Sequence, residues 1–180
     1  MGLTYIASVT ASASATVEFT TGIDATYNEY QFHFVNLHPA TNNVYLLFQV
    51  NAVGQSGFNE TITSTYFYAY HFENDSGAGL SYDASHDQAQ GTADQRLSAV
   101  VAGTNSDESI SGVLTLYAPS STTYVKHFTW KASSIHGAAA GSYAPSVAGY
   151  INTTAAIDEV RFKFHFGNID EGSIHMYGVG

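Results

Sequence analysis

The sequence predicts an all-β protein: an antiparallel two-sheet sandwich of the jelly-roll type that forms a single domain over residues 1–180. Aromatic residues make up 14% of the chain, with 13 Tyr and 11 Phe, and such side chains favour strands. Charged residues are only 11%, so the side chains that fill exposed helix faces are scarce. Segments of alternating polar and apolar residues recur along the chain, and none shows sustained helical periodicity.

These alternating segments predict about ten strands. In chain order they lie at Thr4–Ala7, Thr16–Thr20, Glu29–Leu37, Val44–Asn51, Thr63–Phe72, Ile110–Tyr117, Tyr124–Ala132, Gly149–Asn152, 160–166 and Ser173–Tyr177. The strand at 160–166 is the clearest, because Val160, Phe162, Phe164 and Phe166 alternate with Arg161, Lys163 and His165. Gly, Asn, Asp and Pro cluster between the strands and supply turns. At this chain length, a two-sheet sandwich or jelly roll buries both apolar faces.

The remaining segments are weakly patterned. Asp94–Ala102 fits a short helix or a strand equally well. Glu73–Asp94 is predicted to be a long excursion loop, and Ser134–Pro145, rich in Ala, Gly and Ser, a second loop.

Charge and composition exclude several function classes. Fifteen acidic residues stand against five basic ones, giving a net charge of −10, and such a chain repels nucleic acid phosphates and anionic membranes. There is no Cys, hence no disulfide or thiolate site. No secretory leader and no apolar run of about 18 residues is apparent. We therefore expect a soluble protein made in a cytoplasm, with neither nucleic acid nor membrane as a partner.

One loop concentrates groups that could ligate a cation. Asp83, His86 and Asp87 fall within five residues. The spacing lacks the alternating oxygen ligands of a calcium loop and matches no zinc motif, so a solvated acidic loop is favoured. We predict no metal and no cofactor, and cation binding by this loop is left open.

Three acidic pairs raise the question of carbohydrate hydrolysis, which uses two converging carboxylates. The pairs are Asp107-Glu108, Asp158-Glu159 and Asp170-Glu171. Adjacent residues on a strand point to opposite faces, and each pair lies beside a turn signal, so solvated turn residues are favoured. The chain also lacks a nucleophile elbow and a phosphate-binding glycine loop. We predict no catalytic residues and no enzymatic activity.

Histidine and tyrosine positions suggest contact surfaces. His33, His127 and His165 fall on predicted strands, where they could line a pH-sensitive subunit interface or simply cover a polar face. In the segment Tyr66–Phe72, Tyr66, Tyr68 and Tyr70 share one face and Phe67 lies on the other. A strand that is apolar on both faces is central to a sandwich or covered by a partner, and exposed aromatics also suit a glycan platform.

Several segments of the chain resemble those of a broad group of small structural proteins of marine tailed bacteriophages. They are Leu3–Ser8, Val17–Thr20, Ile23–Tyr27, Ser120–His127 and Gly172–Gly178. The resemblance spans nearly the whole chain, and it consists of strand and turn phrases, so no functional residue is carried over.

This resemblance implies a virion protein, assembled in the host cytoplasm and displayed on the particle surface. It implies a jelly-roll module that is often trimeric, with itself and other virion proteins such as the major capsid protein as partners. We expect a capsid decoration protein on the head exterior. The alternative is a tail-fibre or spike module that binds host surface glycans. Arg161 and Lys163 could offer a small basic face to an acidic capsid surface.

Overall fold

The structure is a computed structural model that describes residues 2–101, 103, 105–136 and 140–180. Within this part of the chain there are thirteen strands and one turn of 3₁₀ helix, Ala84–His86. The strands are β1 (Leu3–Thr10), β2 (Val17–Phe19), β3 (Glu29–Pro39), β4 (Leu46–Ala52), β5 (Ile62–Phe72), β6 (Ala78–Tyr82), β7 (Ala89–Gly91), β8 (Gln95–Arg96), β9 (Ile110–Tyr117), β10 (Lys126–Ile135), β11 (Gly141–Ile151), β12 (Ile157–Phe164) and β13 (Ile169–Val179).

The strands form two antiparallel sheets. The described strands of the large sheet follow the order β1-β13-β3-β9-β10-β11-β5-β6, and β7 also pairs with β5. The small sheet has the order β2-β12-β4-β8. The two sheets share one hydrophobic core, so the prediction of an all-β sandwich is confirmed.

Eight of these strands have jelly-roll connectivity. The first four strands pair with the last four in reverse order: β1 with β13, β2 with β12, β3 with β9, and β4 with β8. Successive strands from β1 to β4 alternate between the sheets, as do β12 and β13. This pattern is a long antiparallel hairpin rolled into a sandwich, which defines the jelly roll.

Two insertions extend the roll on one side. One insertion, β5–β7, lies between β4 and β8, and the other, β10–β11, lies between β9 and β12. Both insertions join the large sheet beyond β9, which doubles its width relative to the small sheet. The large sheet therefore has four strands from the roll, followed by strands from the insertions.

Aromatic rings join the two sheets in the core. Phe162 of the small sheet lies 5.5 Å from Phe32 and 4.8 Å from Phe34 of the large sheet, measured between ring centroids, with edge-to-face geometry. Phe34 also packs at 4.8 Å against the single tryptophan, Trp130. Burying rings of this size supplies much of the driving force for folding.

The structure corrects several sequence-based predictions. The predicted loop Glu73–Asp94 contains β6, the 3₁₀ turn and β7, because its short strands can pair along β5 without strong alternation of their own. In the predicted loop Ser134–Pro145, β10 runs to Ile135 and β11 begins at Gly141, while residues 137–139 lie outside the described part. In Asp94–Ala102 the structure places β8, and residue 102 is outside the described part.

The predicted strand 160–166 ends earlier than expected. β12 ends at Phe164, so His165 and Phe166 lie beyond it, and Phe166 is 66% exposed instead of buried. Among the described residues, no helix is long and apolar enough to cross a membrane.

Candidate contact surface

The outer face of the large sheet, which points away from the small sheet, is uncovered in the described chain. In β3 the inward Phe32 and Phe34 are buried, whereas the alternating Gln31, His33 and Val35 are at least partly exposed. The strand registers extend this division across the sheet. The outer face comprises Leu3, Tyr5, Ser8, Thr10, Val179, Tyr177, His175, Ser173, Glu29, Gln31, His33, Val35, Tyr117, Thr115, Val113, Ser111, His127, Thr129, Lys131, Ser133, Tyr150, Ala148, Ser146, Ala144, Ser142, Thr63, Thr65, Phe67, Ala69, His71, Tyr82, Leu80 and Ala78.

This face concentrates exposed apolar side chains. Seven of the ten large hydrophobic side chains that the described residues expose belong to it: Leu3, Tyr5, Val35, Phe67, Leu80, Tyr82 and Tyr117. Scattered exposed hydrophobics are ordinary, but a cluster on one side of a molecule marks an interaction surface.

The same face is nearly free of formal charge. Within the set, Glu29 and Lys131 are the charged side chains, and fourteen of the fifteen acidic residues lie outside it. The negative charge of the protein is therefore distributed over its loops, strand ends and small sheet. Depletion of charge is characteristic of the centre of protein interfaces.

Histidines on this face form a small aromatic and polar network. His33 lies opposite His175 in the strand register, and its ring centroid is 4.8 Å from that of Tyr177. His33 Nε2 is 2.9 Å from Gln31 Oε1, and Ser173 Oγ is 2.9 Å from His175 Nε2. Partial burial and the neighbouring His175 lower the pKa of His33, so its neutral form is favoured.

The other two histidines of the sequence prediction occupy different surroundings. His127 is exposed on the outer face, with its ring 6.2 Å from that of Tyr150. His165 lies past the end of β12, at the small sheet, where its ring stacks on Tyr45 at 3.7 Å. The three histidines therefore do not lie together on one surface, as a shared pH-sensitive interface would require.

A polar cleft of about 400 Å³ lies between the small sheet and the 3₁₀ turn. The Arg96 guanidinium covers one face of the Tyr45 ring at 3.6 Å. On the cleft wall, Asp94 accepts from Arg161 at 2.9 Å and pairs with Lys163 at 2.8 Å. The expectation that Arg161 and Lys163 form a free basic face is therefore wrong, because both cations pair with the one carboxylate of Asp94 in the β7–β8 connection.

The candidate cation loop is held together by its own hydrogen bonds. Asp83 Oδ1 accepts from the Ser85 amide and hydroxyl, while Oδ2 lies 2.9 Å from His86 Nδ1. Asp87 accepts from the Tyr82 hydroxyl on the other side of the loop. Burial lowers the pKa of His86. Across the described residues, no group of three or more His, Asp or Glu side chains is arranged to hold a metal ion.

The three acidic pairs lie on different elements, and one member of each of two pairs, Asp107 and Glu171, lines the same pocket of about 230 Å³. Asp107-Glu108 follows a turn, and the Glu108 carboxylate accepts from the Asn105 amide. The expectation that all three pairs occupy turns is wrong for Asp158-Glu159 and Asp170-Glu171, which fall inside β12 and β13 at irregular registers. Irregular pairing admits polar residues near the end of a strand.

The strand carrying Tyr66–Phe72 has the predicted two faces. Tyr66 is fully buried and Phe67 is 44% exposed on the outer face. On the inner face Tyr68 and Tyr70 stack on Tyr143 of β11, at 5.3 and 5.6 Å. Sequence reasoning missed Tyr143, because Ser134–Pro145 lacks the alternation that marks a strand.

No family model, curated protein or solved structure matches the chain. The resemblance to phage virion proteins therefore stays a prediction, and the argument for function rests on the outer face.

Proposed function

We propose that this protein is a structural component of a tailed-bacteriophage virion that assembles through the outer face of its large sheet. Its expected form is a homotrimer mounted on the head exterior as a capsid decoration protein, in contact with the major capsid protein. The observation that carries the proposal is the concentration of exposed apolar side chains on one nearly uncharged face.

The size of this face suits a stable contact. With strands about 4.8 Å apart and about 3.3 Å per residue, eight strands of eight residues give a face of roughly 34 by 26 Å. The resulting area of about 900 Å² is close to the share that one partner contributes to a standard protein interface, about 800 Å².

The distribution of charge favours another copy of the chain as the partner. Fourteen of the fifteen acidic residues lie outside the outer face, so two copies can approach there with little of the repulsion that their net charge of −10 creates elsewhere. The remaining acidic surface then faces outward and keeps assembled particles apart.

The jelly roll agrees with this function without carrying it. Viral capsid proteins use this architecture, but so do lectins and enzymes, and function depends on sites rather than on folds. Placement in a tail fibre or spike that binds host glycans uses the same contact surface between copies.

Light scattering over a concentration series tests the assembly. We expect a species of three times the chain mass of 19.3 kDa. A density map of intact particles then tests the placement, with the roll expected on the head exterior rather than in the tail. A chain that stays monomeric at high micromolar concentration and is missing from particles would overturn the proposal.

A further inference from the structure

The two halves of the outer face differ in the length of their side chains. One row of residues runs across the sheet in register: Tyr5, Tyr177, Gln31, Thr115, Thr129, Ala148 and Thr65. The side chains at the β1 end of this row are long, and those at the β5 end are short. We call Tyr5 and Tyr177 the ridge.

The ridge is held in a fixed shape. The rings of Tyr5 and Tyr177 meet edge to face at 5.9 Å, and Tyr177 in turn packs on His33 at 4.8 Å. The Tyr5 hydroxyl lies 2.9 Å from Ser8 Oγ. Even so, Tyr5 remains 57% exposed. A rigid aromatic group that still has surface to bury loses little entropy on binding, and it is typical of interface hot spots.

The other half of the row lies in a groove of about 420 Å³. Thr65, Thr129 and Ala148 are the short residues of the row at this position, and His127 and Tyr150 line the same groove. Methyl groups and aromatic edges make this lining largely apolar. We call this depression the groove. It is shallow and open, so an aromatic ring can lie against its floor.

We propose that the ridge of one copy inserts into the groove of a neighbouring copy. This inference rests on the proposed self-assembly and specifies which surfaces meet. Rotation about an axis parallel to the strands keeps each residue at its level along the strands. Ridge and groove share one row, so they meet whether the rotation closes a dimer or a trimer. In a trimer, each copy inserts its ridge into one neighbour and receives the ridge of the other neighbour in its groove. In a dimer, the two copies form the same contact twice.

Cysteine cross-linking tests the pairing directly, because the chain has no native cysteine. Ser8 and Ser146 lie on the neighbouring row, beside the ridge and the groove, so cysteines there leave both surfaces in place. Ser8→Cys and Ser146→Cys proteins are prepared separately, mixed and oxidised. Disulfides form where Cα atoms approach within about 4.4–6.8 Å, so we expect the mixed disulfide to predominate over both symmetric ones. Predominance of the Ser8→Cys symmetric product would show that ridges meet each other and would overturn the inference.

Substitutions test the energetic role of the same surfaces. Tyr5→Ala removes the ridge and Ala148→Trp fills the groove, and each is expected to weaken self-association by about 10- to 100-fold. Ala40→Trp adds an equally large side chain at an exposed position outside the face, and we expect a change below about threefold. Circular dichroism verifies that each variant is folded.

The outcomes separate this inference from the proposed function. An oligomeric wild type whose association is unchanged by Tyr5→Ala and Ala148→Trp would overturn the ridge-and-groove contact alone. A wild type that stays monomeric would overturn the contact between copies, and one that is also missing from particles would overturn the proposed function as well. A dimer with the expected mixed disulfide would support the contact and overturn the trimer.

Discussion

Replacing Phe162 by alanine is expected to destabilise the protein more than any surface change on the same strand. Phe162 is fully buried and contacts Phe32, Phe34 and Phe48, with ring centroids 5.5, 4.8 and 6.2 Å away. Truncation leaves a cavity between the sheets and removes these ring contacts. The free energy of unfolding should fall by about 4 kcal/mol. For a chain of this length, the melting temperature should fall by about 8–16 °C.

Phe166 provides a matched control, because it is the same residue type four positions later. It lies beyond the end of β12 and is 66% exposed. Phe166→Ala should therefore change the free energy of unfolding by less than about 0.5 kcal/mol.

Urea unfolding followed by tryptophan fluorescence measures both variants, since Trp130 is the single tryptophan and is fully buried. All proteins must be compared at one chain concentration, because the stability of an oligomer depends on it. A loss below about 1 kcal/mol for Phe162→Ala, or equal losses for the two variants, would refute the assignment of the core.

Three further predictions concern charge, backbone and pH. Asp94→Asn should lower the free energy of unfolding by about 1–2 kcal/mol, because Arg161 and Lys163 lose their shared carboxylate. Urea titration measures this change, and an unchanged free energy of unfolding would contradict the pairing. Gly149→Ala should cost about 1–3 kcal/mol in thermal melts, because the new Cβ would lie 2.6 Å from the Thr63 carbonyl oxygen and 2.8 Å from Phe128, whereas Gly2→Ala meets nothing within 4 Å. Burial lowers the folded-state pKa of His33, so the unfolded state takes up more protons as pH falls below about 6.5 and stability is lost there. His33→Gln should make the free energies of unfolding at pH 7.5 and 5.5 more similar than in the wild type, and an unchanged difference would contradict this role.

Sequence reasoning recovered the strands whose two faces differ. In β3 and β12, aromatic residues alternate with polar ones; β3 begins at Glu29 as predicted, and β12 covers the predicted strand from residue 160 to residue 164. The sandwich follows from the number of such strands. Alternation of apolar and polar residues indicates that one face of a strand is buried, so it predicts strands that have one buried and one solvent-exposed face.

The same reasoning failed where neighbours rather than side chains determine the strand. In β11, Gly141, Ala144, Pro145 and Ala148 give no strong alternation, yet the segment pairs with β10 and β5 along its length. Its small residues Ala144, Ser146 and Ala148 lie on the outer face, where larger polar side chains would have made the alternation visible. Irregular positions at the ends of β12 and β13 also cannot be read from local sequence, because a bulge depends on the register of the partner strand.

The candidate surface was only partly predictable. The excess of Tyr and Phe over charged residues indicates that apolar surface is left over after one core is filled. Which side chains remain exposed depends on the strand order, since Tyr5 and Ala148 are 143 positions apart and share a face only because five successive strand pairings connect β1 to β11. No single-sequence pattern encodes that order.

The two contact surfaces of the proposed assembly lie on different parts of the fold, the ridge on the eight-stranded roll and the groove on the two insertions. Tyr5 and Tyr177 belong to β1 and β13, which are strands of the eight-stranded roll, whereas Thr65, Thr129 and Ala148 belong to β5, β10 and β11, which are inserted. In the proposed assembly, the roll of one copy is therefore always joined to the inserted strands of another. A relative with the roll but without these insertions would keep the ridge and lack the groove. Such a relative could insert its ridge into a neighbouring copy but could not receive one, so it could not close a symmetric dimer or trimer.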